Sequence, residues 1–245
     1  GDWAALEREL SHPQTSVLVL CSPHNPTGHV WTEAELVRIG QLCAREGVAV
    51  ISDEIHSDLT HPPSRHLVFA QIAAELPDPP RWAVVTSASK SFNIPALTGS
   101  YGLIPDEATH RDYLAALSGD GLSSPAVPGL VATIAAYREG GPWLDALRNY
   151  LWDNLILVQQ RLGESFPQLG WTPPQAGYLA WIDISALGID DDALQADLIG
   201  TEKLAIMPGT TYGSTGHLRL NVGCPRSKVE RGVDGLIRAL DRLSR

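Results

Sequence analysis

The chain is short of cysteine, of long apolar runs and of positive charge, and each shortage removes a class of protein. Three cysteines, Cys21, Cys43 and Cys224, are widely spaced and odd in number. That pattern argues against a disulfide framework and predicts buried thiols in a reducing compartment. No apolar run approaches the roughly 20 residues of a membrane span, so no membrane partner is expected. No signal-peptide pattern is visible. Lys and Arg number 18 against 28 Asp and Glu, a formal net charge of −10, which disfavours nucleic acid as a partner and fits a cytoplasmic protein. There are no repeats and no low-complexity tract. The hydrophobic content of 44% is enough for a real core, in a chain long enough for one large or two modest domains.

Three apolar runs carry the organisation. Val17 to Cys21 and Val48 to Ser52 are short and rich in β-branched residues, as strands buried on both faces should be. Between them Thr32 and Glu35 form a Thr-x-x-Glu capping box. Leu36, Ile39 and Cys43 share a helix face, and Gly47 stops the helix. This is a βαβ unit, whose crossover makes the strands parallel. A third run, Trp82 to Thr86, joins the same sheet after a helical stretch over 66–76 and the breaker Pro77-Asp78-Pro79-Pro80.

Each run ends in polar chemistry. The first is followed by Asn25, the second by Asp53 and the third by Lys90. In an open α/β sheet the carboxyl edge is where ligands bind. Lys90 lies among Thr86, Ser87, Ser89 and Ser91, an unusual setting for a solvated lysine. A desolvated lysine amine is nucleophilic and can bond an aldehyde carbon. A carboxylate can pair with a protonated ring nitrogen, and an amide can donate to a phenolate oxygen. Pyridoxal 5'-phosphate (PLP) presents all three groups, so PLP is the expected cofactor.

The segments Asn25-Pro26-Thr27-Gly28, Asp53-Glu54-Ile55-His56 and Ser87-Ala88-Ser89-Lys90 resemble, in order and spacing, the signature motifs of fold-type I PLP enzymes, the aspartate aminotransferase superfamily. Ser89 to Pro95 and Leu218 to Ser227 are similar to the cystathionine β-lyase-like C–S lyase branch. The resemblance covers essentially the whole chain. It implies a PLP-dependent transferase-like α/β fold: a mainly parallel sheet flanked by helices, plus a small C-terminal α/β domain. Residues 1–140 would be the C-terminal part of the large domain. Residues 141–245 would be an interdomain helix and the small domain.

The resemblance also assigns roles. Lys90 would be the Schiff-base lysine and proton shuttle. Asp53 would bind the pyridine nitrogen and Asn25 the ring oxygen. His56 stands where many relatives carry a tyrosine that touches the same oxygen. Ser87 would hydrogen-bond the phosphate, with Ser89 as a second candidate. Arg219 would clamp the substrate α-carboxylate, a task suited to its planar fork. The alternation along 217–222 agrees, since His217, Arg219 and Asn221 share one strand face opposite Leu218, Leu220 and Val222. The implied activity is β-elimination from cystathionine or another cysteine S-conjugate, a small sulfur amino acid, by a homodimer. An aminotransferase uses the same residues and stays open. So does a non-catalytic binding module that kept the fold.

Two departures stand out. Aminotransferases of the superfamily commonly carry a phosphate-binding arginine eight residues after the lysine; Thr98 is there instead, which favours the lyase branch. Family members also have a substantial portion ahead of the equivalent of Asp2-Trp3, so an N-terminally truncated enzyme with an incomplete large domain is expected.

The remaining expectations are coarser. His56, His61 and His66 are evenly spaced, but a period of five fits no helix face, and no metal site is expected. Gly99 to Ile104 reads as a strand, 107–117 as helix, and 126–163 as a helical region broken at Gly140-Gly141-Pro142. The loop from Gly119 to Pro125 would lie near the dimer interface by resemblance. Small-domain strands are expected near 178–183, 204–207 and 217–222. The last helix is expected to open on a Ser227-x-x-Glu230 capping box, with an apolar stripe of Val229, Val233, Leu236, Ile237 and Leu240.

Overall fold

A computed structural model of the chain describes residues 2–122 and 124–244. Ser123, inside the expected 119–125 loop, lies outside the described residues. Contacts divide the chain into two compact units. The first holds the residues up to His24 together with Val30–Leu144; the second holds Asn25–His29 and the residues from Asp145 on.

The first unit is built on four strands, β1 (Val17–Cys21), β2 (Ala49–Asp53), β3 (Trp82–Thr86) and β4 (Tyr101–Leu103), in that order across the sheet. The first three are parallel and β4 is antiparallel to β3. The register pairs Cys21 with Asp53 and Asp53 with Val85, so the three parallel strands end along one edge.

One face of this sheet is covered. Leu20, Val50 and Val84 pack against α1 (Trp3–Leu10), α2 (Glu33–Glu46) and α3 (Phe69–Glu75). Helix α2 carries the expected capping box in full: Glu35 N–H donates to Thr32 Oγ1 at 3.3 Å, and Thr32 N–H to Glu35 Oε2 at 2.8 Å. It ends at Gly47 in the left-handed region, φ 69°, where a side chain would be strained. Leu36, Ile39 and Cys43 are buried on its inner face. Burial pushes the Cys43 thiol up to about 11. The three cysteines are free thiols, but Cys21 and Cys224 are only half-buried, short of the burial expected for all three.

The other face is open. Val17 and Val19 are 46% and 66% exposed, and β1 to β4 with α5 (Glu107–Gly119) line a concavity of about 480 Å³ bounded by Ala49, Ile51, Val85, Tyr101 and Tyr113. After β3 comes a single turn, α4 (Ala88–Ser91), which carries Lys90. Helix α6 (Val127–Glu139) follows α5. It approaches the segment after α4 so closely that a Cβ on Gly129 would stand 2.2 Å from the Leu97 carbonyl oxygen.

Helix α7 (Gly141–Ser165) contains the boundary between the units. The second unit has a three-stranded antiparallel sheet ordered β5 (Leu179–Asp183), β7 (His217–Asn221), β6 (Met207–Pro208), with α8 (Asp191–Asp197) and α9 (Arg226–Leu243). Its core joins Leu155, Val158 and Leu162 to Ile182, Leu218, Leu220, Val229, Val233, Leu236 and Leu240.

The strand alternation holds: Leu218 and Leu220 are buried while Arg219 is half-buried. The α9 stripe also holds, with Ile237 packed at its margin. The capping box at Ser227 does not form. Pro225 takes the N-cap position with no side-chain cap, which places Ser227 inside the helix. The Arg226 N–H donates instead to the Tyr150 hydroxyl at 2.7 Å.

Candidate functional site

Asp53 is the last residue of β2 and lies half-buried on the sheet face opposite Ser52. Its carboxylate accepts the Ile55 N–H at 3.1 Å, which folds the chain into a turn beyond the strand. That turn places His56 in a buried position, 7% exposed. Burial is the main force holding the His56 pKa below its ordinary value; the Lys90 cation pushes it the same way, and the Asp53 carboxylate opposes them. The imidazole therefore feels both Lys90 and Asp53. The first unit thus gathers an amine, a carboxylate and a neutral imidazole at the carboxyl edge of β2 and β3.

Lys90 itself is exposed on α4, unlike the sheltered lysine its neighbours led one to expect. Its orientation is set by Ser87, whose Oγ accepts the Ser89 N–H at 3.1 Å and caps α4. The Ser87 hydroxyl donates to the Gly99 carbonyl and is 4% exposed. Its proton is therefore committed to the segment just ahead of β4, and a phosphate would have to displace that bond. Ser89 is half-buried beside it. Beyond Lys90 the backbone is forced: Asn93 and Thr98 have φ of 54° and 40°. For β-branched Thr98 this conformation is costly.

In the second unit Asn25 and Arg219 meet, Arg219 Nη1 donating to Asn25 Oδ1 at 3.3 Å. The Asn25 loop is held by Gly28, φ 67°, where a Cβ would stand 2.4 Å from Pro174 Cβ and 2.6 Å from the Ala176 carbonyl oxygen. The Arg219 guanidinium lies over the Tyr212 ring, 4.7 Å from its centroid. Tyr212 meets Trp181 edge-on at 5.8 Å, and Trp181 stacks on His217 at 5.0 Å. Burial raises the Tyr178 pKa, and the Arg219 charge partly offsets this. Arg219 therefore presents its fork from an aromatic bed, with one donor spent on Asn25.

Sequence reasoning missed that bed, although Trp181 faces Arg219 directly in the β5–β7 register. It also missed Asn154, a fully buried polar side chain on α7 that donates to the Val222 and Cys224 carbonyls at 3.0 and 3.3 Å. These bonds fix the chain just beyond Arg219. Nor did it single out Glu54, whose buried carboxylate takes up Ser52, His66 and the Phe69 N–H behind Asp53. Of the evenly spaced histidines, His56 lies by Asp53 and His66 by Glu54. Among the described residues no group of three or more His, Cys, Asp or Glu could hold a metal ion, and no helix is long and apolar enough to cross a membrane.

The groups of the first unit suit PLP in kind: an amine can bond an aldehyde, a carboxylate can pair with a pyridine nitrogen and an imidazole can meet a ring oxygen. The second unit by itself offers an amide and a guanidinium fork, which suits a carboxylate. The chain is 53% identical over 242 residues to Protein MalY of Escherichia coli (strain K12), covering 98% of this chain and 61% of that protein. It is 38% identical over 243 residues to cystathionine beta-lyase PatB of Bacillus subtilis (strain 168), covering 98% and 62%. The PLP-bound C–S lyase of Staphylococcus hominis superposes with a TM-score of 0.88 at 29% identity, over 98% of this chain and 61% of that one. The chain thus spans about three-fifths of the length of these relatives. The family profile described as aminotransferase class I and II matches residues 1–236, and the chain belongs to that family.

Proposed function

We propose that this chain carries the reacting residues of a PLP-dependent carbon–sulfur β-lyase acting on cystathionine or another cysteine S-conjugate. The observation that carries the reading is the parallel register of β2 and β3, which brings Asp53 and the turn bearing Lys90 to one sheet edge, with buried His56 just beyond Asp53. The relatives supply the reaction class, since PatB is a cystathionine beta-lyase and the Staphylococcus hominis protein a C–S lyase.

Bound at this edge, PLP would supply an electron sink for a carbanion at the substrate α-carbon. The rest falls to the chain. Asp53 would hold a proton on the ring nitrogen. Asn25 and neutral His56 would bond the ring oxygen. Lys90 would bond the aldehyde carbon at rest and take the α-proton when the substrate amine replaces it. Arg219 would hold the substrate carboxylate through its fork. Ser89, together with Ser87 if its bond to Gly99 exchanges, would serve the phosphate. The expected products are a thiol, pyruvate and ammonia.

An aminotransferase needs the same residues, and the family description favours keeping it as a second reading. Against it, Thr98 offers no cation to the phosphate. The family's usual assembly and the acidic, span-free sequence support a cytoplasmic homodimer as part of the proposal.

The test is a visible absorption spectrum of the intact protein with added PLP, before and after borohydride, with mass spectrometry of the reduced protein. A reducible band with the label on Lys90, absent in Lys90→Ala, is expected. A label on another lysine would sink the assignment. Thiol release without added keto acid selects the lyase; turnover that requires keto acid selects the aminotransferase.

A further inference from the structure

We propose that Glu54 and His66 form a buried positioning pair that fixes the Asp53 carboxylate against the cofactor ring; this rests on the reading of Asp53 given above. Glu54 follows Asp53 directly, and successive residues at a strand end point to opposite faces. Asp53 is half-buried, whereas the Glu54 side chain is only 3% exposed.

Every polar group of Glu54 is engaged. Oε1 accepts the Ser52 hydroxyl at 2.9 Å and the Phe69 N–H at 2.8 Å. Oε2 meets His66 Nε2 at 2.8 Å, and the His66 side chain is 9% exposed. The Glu54 N–H donates to the Val85 carbonyl at 2.9 Å, and its own carbonyl accepts Thr86 Oγ1 at 3.2 Å. One residue thereby ties the end of β2 to β3, to the start of α3 and to His66.

A buried carboxylate is costly unless paired and hydrogen-bonded. A hydrophobic side chain would fill this space without that cost. What a carboxylate adds is direction, because its bonds to Ser52, Phe69 and His66 allow the backbone at 53–54 one orientation. Asp53 Cα cannot rotate without breaking them. Misplacing a catalytic group by about 1 Å can cost about a hundredfold in rate, so a rigid hinge beside Asp53 has a direct chemical use. Glu54 and His66 touch neither cofactor nor substrate in this scheme; they act through Asp53.

The experiment compares wild type, Asp53→Asn, Glu54→Gln and His66→Gln in the intact PLP-loaded protein. It reads PLP affinity, the pH midpoint of the bound cofactor's visible band, kcat and KM separately, and melting temperature. The expected result is that Glu54→Gln and His66→Gln shift the band midpoint in the direction that Asp53→Asn does. They should also lower kcat roughly ten- to a hundredfold while KM changes much less. If both variants keep the wild-type midpoint and kcat and only melt earlier, the pair is structural and the proposal is overturned. If Glu54→Gln does not fold, His66→Gln alone decides by the same criterion. If Asp53→Asn itself leaves the band untouched, the role of Asp53 fails and this proposal fails with it. An altered Asp53→Asn beside silent Glu54 and His66 variants rejects the pair alone.

Discussion

At the residue scale, the chemistry depends on side chains whose freedom has been removed by neighbours distant in sequence. Arg219 is the clearest case. Its guanidinium is stacked on Tyr212 and bonded to Asn25, 194 positions away in the chain. Lysine cannot reproduce both the fork and the stacking. Arg219→Lys should therefore raise KM for the amino-acid substrate roughly tenfold or more, on the order of one charge-assisted hydrogen bond. PLP affinity should fall by less, since of the ring contacts proposed above only that of Asn25 leans on Arg219. Parallel titrations of substrate and cofactor would separate the two, and an equal loss of both would refute the carboxylate role.

The residue scale is also where the sequence was least complete as a guide. Asn25, Asp53 and Lys90 could be picked out because each ends or follows a recognisable strand, whereas His56 is given its role only through the family resemblance. The Glu54–His66 pair could not be picked out, because its partners stand 12 residues apart across an irregular stretch with no periodicity to link them. Ser87 is offered as a phosphate ligand only by the family resemblance; its bond to the Gly99 carbonyl appears only once the loop is folded back. Lys90's exposure depends on what covers α4, which local composition does not encode.

At the element scale, legibility tracks how local the determinants are. Helix α2 was readable from end to end because cap, stripe and stop are all contained within it. Thr32→Ala should destabilise the first unit by about 0.5–2 kcal/mol, measurable by urea unfolding, and Glu35→Gln by less, since an amide still completes the box. The start of α9 was misread because the group that satisfies Arg226 N–H is Tyr150, 76 residues earlier. Strand β6 covers Met207–Pro208 and not 204–207, because Pro208 closes a two-residue bridge to β7 that hydrophobicity alone does not bound. Asn154 is invisible for a similar reason: within an apolar helix face it looks like an imperfection, yet it binds two carbonyls at the end of β7. Asn154→Leu should cost the second unit about 1–3 kcal/mol through carbonyls left unsatisfied. An unchanged melting curve would show that water replaces the amide.

At the scale of the whole molecule, the distribution of charge makes a statement about pH. His56 has its pKa lowered in the fold by burial and by Lys90, so the folded state favours the neutral ring. The unfolded chain then binds the extra proton first. This contribution to stability is complete above the ordinary histidine value of about 6.5 and is lost as pH falls through the folded pKa. Asp183 in the second unit has its carboxyl pKa lowered by the Ser185 hydroxyl and N–H, so its contribution fades only at more acidic pH, as the solution enters the carboxylate range. On stepwise acidification the first unit should therefore weaken before the second. Thermal melts followed from pH 8 downward would show it, and His56→Gln should abolish the earlier phase. Loss of both units together near pH 6 would contradict the assignment.

Gly28 carries a consequence of another kind. Because its bare Cα lets the chain pass against Pro174 and Ala176, the five residues Asn25–His29 are counted with a body whose remaining members begin about 115 positions later. That body is discontinuous in the gene. Closing so long a loop carries an entropic cost that grows only as the logarithm of its length, yet the cost must be met before the contacts that reward it can form. Assembly around Gly28 is accordingly a late event, since Pro174 and Ala176 must be synthesised before it can occur. The same topology sets a limit on dissection: a piece cut at residue 145 would keep Arg219 and its aromatic bed while leaving behind the asparagine that Arg219 holds.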